Sequence, residues 1–420
     1  MTPRERLKRA IRHQAADRIP VDVGGTVVTG IQPQSYANLK RDLGMPAGNI
    51  KVYDPFQVLA EVEEPVRQRL GVDTLSIESL KTVFGYKNEN WKPFTLPDGT
   101  EVLMSGHFEY DVLENGDIVQ YPQGNRNAPP SAIMPNDGYY FDSLIRQEPI
   151  DEDTLDPKAW AEQMYAVYTD EDLRHFEATA QQFYAHTDYA LIGSFWGGNF
   201  GDIAQVPGLA VLHPTGIRDP KEWYMSLVTR KGYIQEIFQH TLDIALKNLE
   251  LYHQAIGEKI DVVVISGADF GSQTSTVYAP RTYRELFKPF HKAMNDWVHQ
   301  HTNWKTFYHT CGAITSLLDD FHEAGIDILN PVQVSAKGMD PQFLKTNYGN
   351  KFVFWGGAVN PQGTLPFGTP EQVYEEVTRN IEVFKPGGGF VFANVHNIQA
   401  GVPVENLMAM FDALHENWSY

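Results

Sequence analysis

Two residues with metal-binding side chains lie close together in the segment FYHTCGA, residues 307–313. His309 and Cys311 are two positions apart, and Cys311 is the only cysteine in the 420-residue chain. Side chains at i and i+2 of a β-strand project to the same face, so an imidazole nitrogen and a thiolate would face one point. A lone cysteine is also compatible with a small apolar residue that fills the core.

A pair of ligands does not complete a catalytic zinc site, which usually has three protein ligands and an open position. With no second cysteine in the chain, the third ligand must be His, Asp or Glu. His396 follows the apolar run GGFVFANV, and Asp269 lies in GADFG after the run DVVVIS. Both are candidates, and a His/Cys/His set would suit Zn²⁺. Asp269 could instead act as a general acid/base, bind substrate or orient a ligand.

The elements that would position these residues recur along the chain as eight short apolar or β-branched runs. The runs lie at 18–25, 72–79, 189–197, 260–271, 305–313, 326–333, 351–360 and 388–397, and helical patterns lie at 219–255, 281–302, 314–324, 370–383 and 403–416. Apolar strands that alternate with helices are typical of a parallel sheet buried on both faces. Eight of them predict an α/β fold of the (β/α)8 TIM barrel type, with the active site at the C-terminal ends of the strands.

Residues 80–150 depart from this alternation. Asp-Gly in LPDGTEVLMSG and Asn-Gly in YDVLENGDIVQYP lie between strand-like runs and are hairpin signals. We expect a β-rich insertion after the second strand, within a single barrel domain that spans residues 1–420. The insertion would either cover the barrel mouth or form an oligomer contact.

Composition excludes several classes of function. The net charge of -19 argues against nucleic acid as a partner, because a phosphate-binding surface needs clustered Lys and Arg. The apolar runs are far shorter than the about 20 residues of a membrane span. MTPRERLKRAIRHQ predicts an amphipathic helix and not a signal peptide. A single cysteine excludes an internal disulfide and favours a cytoplasmic location.

Four ordered segments resemble the uroporphyrinogen decarboxylase superfamily, and more closely its branch of zinc-dependent cobamide methyltransferases. They are GADFGSQTSTVYAPRTYRELFKPFHKAM, YHTCGAITSLLDDFHEAGIDILNPVQ, FWGGAVNPQGTLPFGTPEQV and GGGFVFANVHNIQAGVPVENLMAMFDAL. Decarboxylase members carry an Arg-Gln-Ala-Gly-Arg stretch after the first strand. The corresponding loop, DVGGTVVTGIQPQSY, contains no arginine, which argues against porphyrinogen decarboxylation.

The resemblance implies a zinc site. Methyltransferase members bind zinc through a His-x-Cys pair, which His309 and Cys311 match, and through a distant Cys, at whose position this chain has His396. Exchanging a thiolate for an imidazole makes the site less negative and the zinc a stronger Lewis acid. That suits polarisation of a methyl ether oxygen better than activation of a thiol.

The implied function is therefore methyl transfer between a small methyl donor or acceptor and a corrinoid (cobalamin), in the direction from substrate to corrinoid. The alternatives are a decarboxylase-type lyase that acts on a small substrate and a non-catalytic binding member of the superfamily. The motif Asp-x-His-x-x-Gly in DFHEAG, residues 320–325, matches a cobalamin-ligating pattern. However, it ends a predicted helix, with Gly325 as a C-cap, so the corrinoid is expected on a partner protein.

Further residues at or just after strand ends are candidates for substrate binding. Four of them could hydrogen-bond substrate, namely Glu78, Gln273, Gln333 and Asn360. Trp196 could stack on an aromatic substrate or on a corrin face, or it could belong to the core.

Overall fold

The computed structural model describes residues 1–46 and 48–420 of the chain. Its strands are β1 (Val52–Asp54), β2 (Leu59–Ala60), β3 (Thr74–Ile77), β4 (Lys92–Thr95), β5 (Glu101–Met104), β6 (Tyr110–Val112), β7 (Ile118–Gln120), β8 (Ala132–Met134), β9 (Asp142–Ser143), β10 (Ala190–Ser194), β11 (Val262–Ser266), β12 (Lys305–His309), β13 (Ile328–Asn330), β14 (Val353–Trp355) and β15 (Phe390–Val391).

Helices connect the strands and flank the sheet. They are α1 (Pro3–Ala10), α2 (Pro33–Asp42), α3 (Glu64–Leu70), α4 (Pro157–Met164), α5 (Asp170–His186), α6 (Pro220–Thr229), α7 (Lys231–Ile256), α8 (Pro280–Thr282), α9 (Lys288–His301), α10 (Leu318–Glu323), α11 (Pro341–Tyr348), α12 (Thr364–Phe367), α13 (Pro370–Phe384) and α14 (Val404–Asn417). A π-helical turn at Tyr283–Phe287 joins α8 to α9.

Seven strands form one parallel sheet in the order β15-β14-β13-β12-β11-β10-β3. Val21 closes the ring, because it forms a parallel bridge to Phe392 next to β15 and its carbonyl accepts the N–H of Asp73 next to β3. The eighth strand is therefore a bridge rather than a full ladder. This arrangement confirms the (β/α)8 barrel predicted from the eight apolar runs.

The barrel interior is filled by residues from every other strand position and from α1. Leu7 and Ile11 join Val262, Phe307 and Trp355 in one buried cluster. The backbone N–H of Arg4 bonds to Asp188 O just before β10, so α1 covers the N-terminal ends of the strands. The opposite end of the barrel, where the strands terminate, is left for a cavity.

The helices follow from apolar spacing and from capping residues. In α13, Val373, Val377, Ile381 and Phe384 are buried, which is the spacing of one helix face. Thr369 caps this helix through a capping box with Gln372, and its first turn begins with a proline. Such local signals explain why the predicted helix at 370–383 agrees closely with the observed one.

The region between β3 and α4 is rich in antiparallel strands, as the hairpin signals predicted. β4 pairs with β5 around the turn that contains Gly99, and β6 to β9 form a four-stranded sheet whose first turn contains Gly116. Phe84, Phe108 and Phe141 pack edge to face at its core. The β-rich insertion after the second barrel strand is thus confirmed.

Within residues 1–46 and 48–420, no helix combines the length and the apolar character that a membrane span requires.

Candidate metal centre

The loops that follow β11 and β12 lie against each other at the mouth of the barrel. A Cβ atom on Gly271 would stand 2.5 Å from the carbonyl oxygen of Cys311, and one on Gly312 would clash with the backbone of Gly271. Gly312 also has φ +90°, a conformation that favours glycine. Two glycines therefore allow the chain to turn directly after Cys311 and fix where its side chain points.

His309, Cys311 and His396 converge at this mouth. One ligand atom from each lies within 4.8 Å of the other two. His309 Nε2 is 3.5 Å from Cys311 Sγ, and the two imidazole ring centres are 5.0 Å apart. The pair predicted from the strand spacing thus meets a third donor that is 85 residues further along the chain.

The orientation of His309 is set by Asn330, at the end of β13. The Asn330 amide N–H donates to Trp355 O at 3.0 Å, so its Oδ1 is the acceptor that faces His309 Nδ1 at 2.6 Å. Nδ1 therefore carries the ring proton, and Nε2 presents a lone pair towards Cys311. Burial lowers the pKa of His309 to about 4, so the ring is neutral at pH 7.

His396 is also neutral, because burial and the neighbouring His309 lower its pKa to about 3. Its Nδ1 accepts the backbone N–H of Asn397 at 2.8 Å. The unprotonated nitrogen of this ring is thus Nδ1, and a metal bound through it would replace the bond from Asn397. A metal bound through Nε2 would require the other tautomer, whose protonated Nδ1 cannot accept the bond from Asn397.

Cys311 lies beside Asp269. The backbone N–H of Cys311 donates to Asp269 Oδ1 at 2.6 Å, and the same oxygen is 3.9 Å from His309 Nε2. Burial and the Asp269 carboxylate raise the pKa of the Cys311 thiol. These surroundings do not generate a free nucleophilic thiolate, which needs an electropositive environment.

This donor set fits a divalent zinc ion. Two neutral imidazoles and one cysteine are ligand types that Zn²⁺ prefers, and three protein ligands leave a position for substrate. A metal would also stabilise the deprotonated Cys311, which the protein alone does not. Asp269 is adjacent to the cluster without belonging to the three-residue group.

The cluster opens into a cavity of about 1220 Å³. Of the predicted site residues, the cavity wall contains Glu78, Trp196, Asp269, Gln273, His309, Cys311, Gln333 and His396. The Oε1 of Gln333 accepts the N–H of Gly312 at 2.7 Å, so this side chain supports the loop that carries Cys311.

Asn360 is the predicted substrate-binding residue that the structure places elsewhere. It does not line the large cavity, and it borders a separate depression of about 450 Å³ together with Phe367 and Arg379. Its Oδ1 accepts the N–H of Gln362 at 3.0 Å, and its own N–H donates to Glu376 at 2.8 Å. The side chain closes a local turn after β14 instead of facing the barrel mouth.

Comparison with known proteins agrees with this architecture. The sequence profile of the uroporphyrinogen decarboxylase (URO-D) family matches residues 216–417. Among solved structures, a methyltransferase from Methanosarcina mazei is similar over 99% of both chains, with a TM-score of 0.53 and 17% identity, which concerns the fold alone. None of the curated proteins matches the sequence significantly.

The barrel also brings residues to the cavity that the sequence analysis missed. Tyr53 and Asp54 come from β1, and Asp202 comes from the long loop between β10 and α6. Burial, with a contribution from nearby Asp269, raises the pKa of Asp202 to about 7. Tyr53 and Asp54 follow none of the eight apolar runs, and Asp202 lies five residues beyond the run at 189–197, so strand-end reasoning did not find them.

The β-rich insertion forms part of the cavity wall. Residues 87–89 and 140–142 line the cavity, and Lys87 pairs with Glu171 at its rim. Of the two roles expected for the insertion, the structure thus supports cover of the barrel mouth.

DFHEAG ends a helix, as its position in the sequence predicted. α10 terminates at Glu323, and Gly325 follows with φ +82°. Asp320 is buried and accepts bonds from Arg284 and Lys288, while His322 is exposed and lies away from the cavity wall. The segment has a structural explanation that requires no cobalamin.

Proposed function

We propose that this URO-D protein is a zinc-dependent methyltransferase that moves a methyl group from a small substrate, such as a methyl ether, to a corrinoid carried by a partner protein. The proposal rests on the convergence of His309, Cys311 and His396 at the C-terminal end of a URO-D barrel, facing a large cavity. Active sites of such barrels lie at this end of the strands.

The residues around the cluster have separate roles in this proposal. A bound zinc would supply Lewis-acid polarisation of the leaving oxygen of the substrate. Asn330 holds His309 in the tautomer that presents Nε2, and Gln333 holds the loop of Cys311. The Asp269 carboxylate, 46% exposed beside the cluster, can hold a proton for the leaving oxygen.

The size of the cavity supports a reaction between two partners. Pockets for one small molecule usually enclose about 300–1000 Å³. The cavity of about 1220 Å³ exceeds this range, so a small methyl donor leaves room for a second reactive group.

The composition of the cavity wall argues against a decarboxylase of anionic tetrapyrroles. Among the described residues, no arginine lines the cavity, and its only lysines are Lys81 and Lys87. Lys87 is already paired with Glu171. A polycarboxylate substrate would thus find few cationic partners.

Metal analysis of the purified protein tests the proposal first. We expect about one zinc per chain in the wild type, and loss of zinc in Cys311→Ala and His396→Ala. His175→Ala is the matched control, because His175 lines the same cavity outside the cluster and its loss should leave zinc bound. A folded wild-type protein that binds no zinc would overturn the proposal.

The direction of transfer is tested with the zinc-loaded protein and Co(I) cobalamin. Incubation with candidate methyl ethers should give methylcobalamin, which its absorption spectrum detects. Cys311→Ala should form no methylcobalamin. Zinc-loaded protein that forms methylcobalamin from none of the ethers tested, and that demethylates methylcobalamin with a thiol instead, would reverse the proposed direction.

A further inference from the structure

The wall of the cavity is strongly biased towards negative charge. Six carboxyl groups line it, against two lysines and, among the described residues, no arginine. The six belong to Asp54, Glu78, Glu89, Asp142, Asp202 and Asp269. A charged substrate that enters this cavity is therefore expected to be a cation.

Two of these carboxyl groups, Asp54 at the end of β1 and Glu78 just after β3, line the same cavity, and the charge of Asp54 acts on Glu78. Asp54 is 6% exposed, and its Oδ1 accepts the backbone N–H groups of Phe56 and Gln57 at 2.9 and 2.8 Å. Among the described residues, no donor contacts its Oδ2, although Asp54 lines the cavity. Its neighbour Glu78, after β3, accepts the hydroxyl of Ser194 at 3.0 Å.

Burying these two acids near each other is unfavourable without a counter-charge. Burial raises the pKa of Asp54 to about 6, and burial together with the nearby Asp54 raises the pKa of Glu78. Buried carboxylates in proteins are normally paired with a cation or protonated. No Lys or Arg of the described chain forms a salt bridge with either group, so a cationic ligand would supply the missing partner.

Aromatic side chains line the same cavity, and Tyr53 and Phe56 lie close to Asp54 in the chain. The rings of Tyr53, Phe56, Tyr168, Phe195 and Trp196 line the cavity, and Tyr168 packs against Phe195 with ring centres 6.2 Å apart. Phe195 directly follows Ser194, the hydroxyl partner of Glu78. Carboxylates combined with aromatic faces are the surroundings that bind ammonium groups, through charge and cation–π attraction.

We propose that the methyl donor carries an ammonium group, and that Asp54, Glu78 and the rings of Tyr53, Tyr168 and Phe195 bind it. This group of five residues is the ammonium subsite. The inference rests on the proposed function for the identity of the molecule as a methyl donor, but binding of the cation does not depend on methyl transfer.

Calorimetric titration with two ligands of equal shape tests the subsite. The first is 2-methoxyethyl-trimethylammonium, and the second is its neutral isostere 3,3-dimethylbutyl methyl ether, in which carbon replaces nitrogen. We expect the cation to bind about tenfold or more tightly than the isostere, which is the size of a desolvated cation–π contact combined with an ion pair. Equal affinities, or tighter binding of the isostere, would overturn the proposal.

Variants locate the interaction. Glu78→Gln and Asp54→Asn should each weaken binding of the cation about tenfold and leave the isostere unaffected. Glu89→Gln is the matched control, since Glu89 lines the cavity at the rim, where it contacts His107 at 3.0 Å. If Asp54→Asn does not fold, the conservative variant Glu78→Gln still tests the ammonium subsite. Full retention of affinity in Glu78→Gln would show that the subsite is misassigned.

The two proposals fail in different ways. Binding of the cation without methylcobalamin formation from any ether would refute the methyl transfer function and leave the subsite intact. Methylcobalamin formation from neutral ethers, without preference for the cation, would refute the subsite and leave the function intact.

Discussion

Replacement of Asn330 by alanine should weaken zinc binding without touching a ligand. Asn330 Oδ1 accepts the proton of His309 Nδ1 at 2.6 Å, and its amide N–H donates to Trp355 O at 3.0 Å. Asn330 and His309 are 1% and 4% exposed, so bulk water does not easily replace the acceptor that His309 loses. In Asn330→Ala, His309 loses the contact that fixes both its tautomer and its ring orientation.

The size of the effect follows from these contacts. Loss of a hydrogen-bond partner of a ligating histidine usually lowers metal affinity about 10- to 100-fold, or about 1.4–2.7 kcal/mol. Two buried hydrogen bonds of about 1 kcal/mol each disappear, so the free energy of unfolding should fall by about 2 kcal/mol. A water molecule that enters the space left by the Asn330 side chain would reduce both the loss of zinc affinity and the loss of stability.

Competition with a chromophoric chelator measures the zinc affinity, and chemical denaturation measures stability. Asn295→Ala is the matched control, because Asn295 is fully buried and its amide donates to Ala324 O at 2.8 Å, away from the cavity. This control should lose about 1 kcal/mol of stability and no zinc affinity. Asn330→Asp retains an acceptor for His309 and should recover most of the affinity.

Unchanged zinc affinity in Asn330→Ala, with a loss of stability like that of Asn295→Ala, would refute the reasoning. The orientation of His309 would then be determined by packing alone. A loss of affinity in both variants would instead show that the assay reports general stability.

Two further predictions concern the backbone of the centre and the ammonium subsite. Gly312→Ala should destabilise the protein more than Gly99→Ala, because both glycines have φ near +90° but a Cβ atom would meet backbone atoms only at Gly312. Of the two variants, only Gly312→Ala should reduce the zinc content. Equal losses in melting temperature would contradict this prediction. Affinity for 2-methoxyethyl-trimethylammonium should rise from pH 5 to pH 8, because the pKa of Asp54 is about 6 and the carboxyl group is neutral below it. Tyr53, Glu78 and Tyr86 are titratable groups on which the Asp54 carboxylate acts. The pKa values of both tyrosines lie well above this range, and Glu78 should ionise in the same direction as Asp54 with rising pH. Asp54→Asn should flatten this rise in calorimetric titrations at several pH values, and a rise of undiminished size would contradict the assignment.

The barrel could be predicted because its strands are buried on both faces. All five residues of β10 and of β11 are buried, and such runs stand out in a sequence. The first barrel strand differs from the others, because only the single bridge at Val21 represents it. Pro20 has no N–H to donate, and the N–H of Val21 bonds to the Asp73 carboxylate at 2.8 Å instead of to a neighbouring strand.

The convergence of the candidate ligands could be predicted for a related reason. His309 ends β12 and His396 follows β15, so the rule that active sites lie at strand ends placed both at the same mouth. The subsite residue Asp54 could not be found in this way, because β1 belongs to a small antiparallel pair outside the barrel. Its approach to Glu78 depends on tertiary packing that has no local signal.

The loop between β10 and α6 shows the same limit. It carries Asp202 to the cavity, and its course is held by hydrogen bonds to its carbonyl oxygens. Ser143 and Arg146 from the insertion donate to Ala204 O at 2.9 Å and to Val211 O at 2.8 Å. Contacts between segments this distant in sequence leave no periodic pattern from which the path of the loop could be inferred.

The charges of the ligand set and of the carboxyl groups together determine the electrostatic potential inside the cavity. A zinc bound by two neutral imidazoles and one thiolate keeps a formal charge of about +1, whereas a second thiolate at position 396 would cancel it. The Asp54 and Glu78 carboxyl groups lie at β1 and β3, and only the Val21 segment separates β3 from β15 in the barrel. Under the two proposals, and with Asp269 holding its proton, the cavity has a positive end at His396 and a negative end at Glu78. A methyl ether with an ammonium group would then enter in one orientation, with its oxygen towards the cluster and its charge towards the subsite. A neutral ether would lack that constraint, which is why the comparison of equal-shaped ligands distinguishes orientation by charge from orientation by shape.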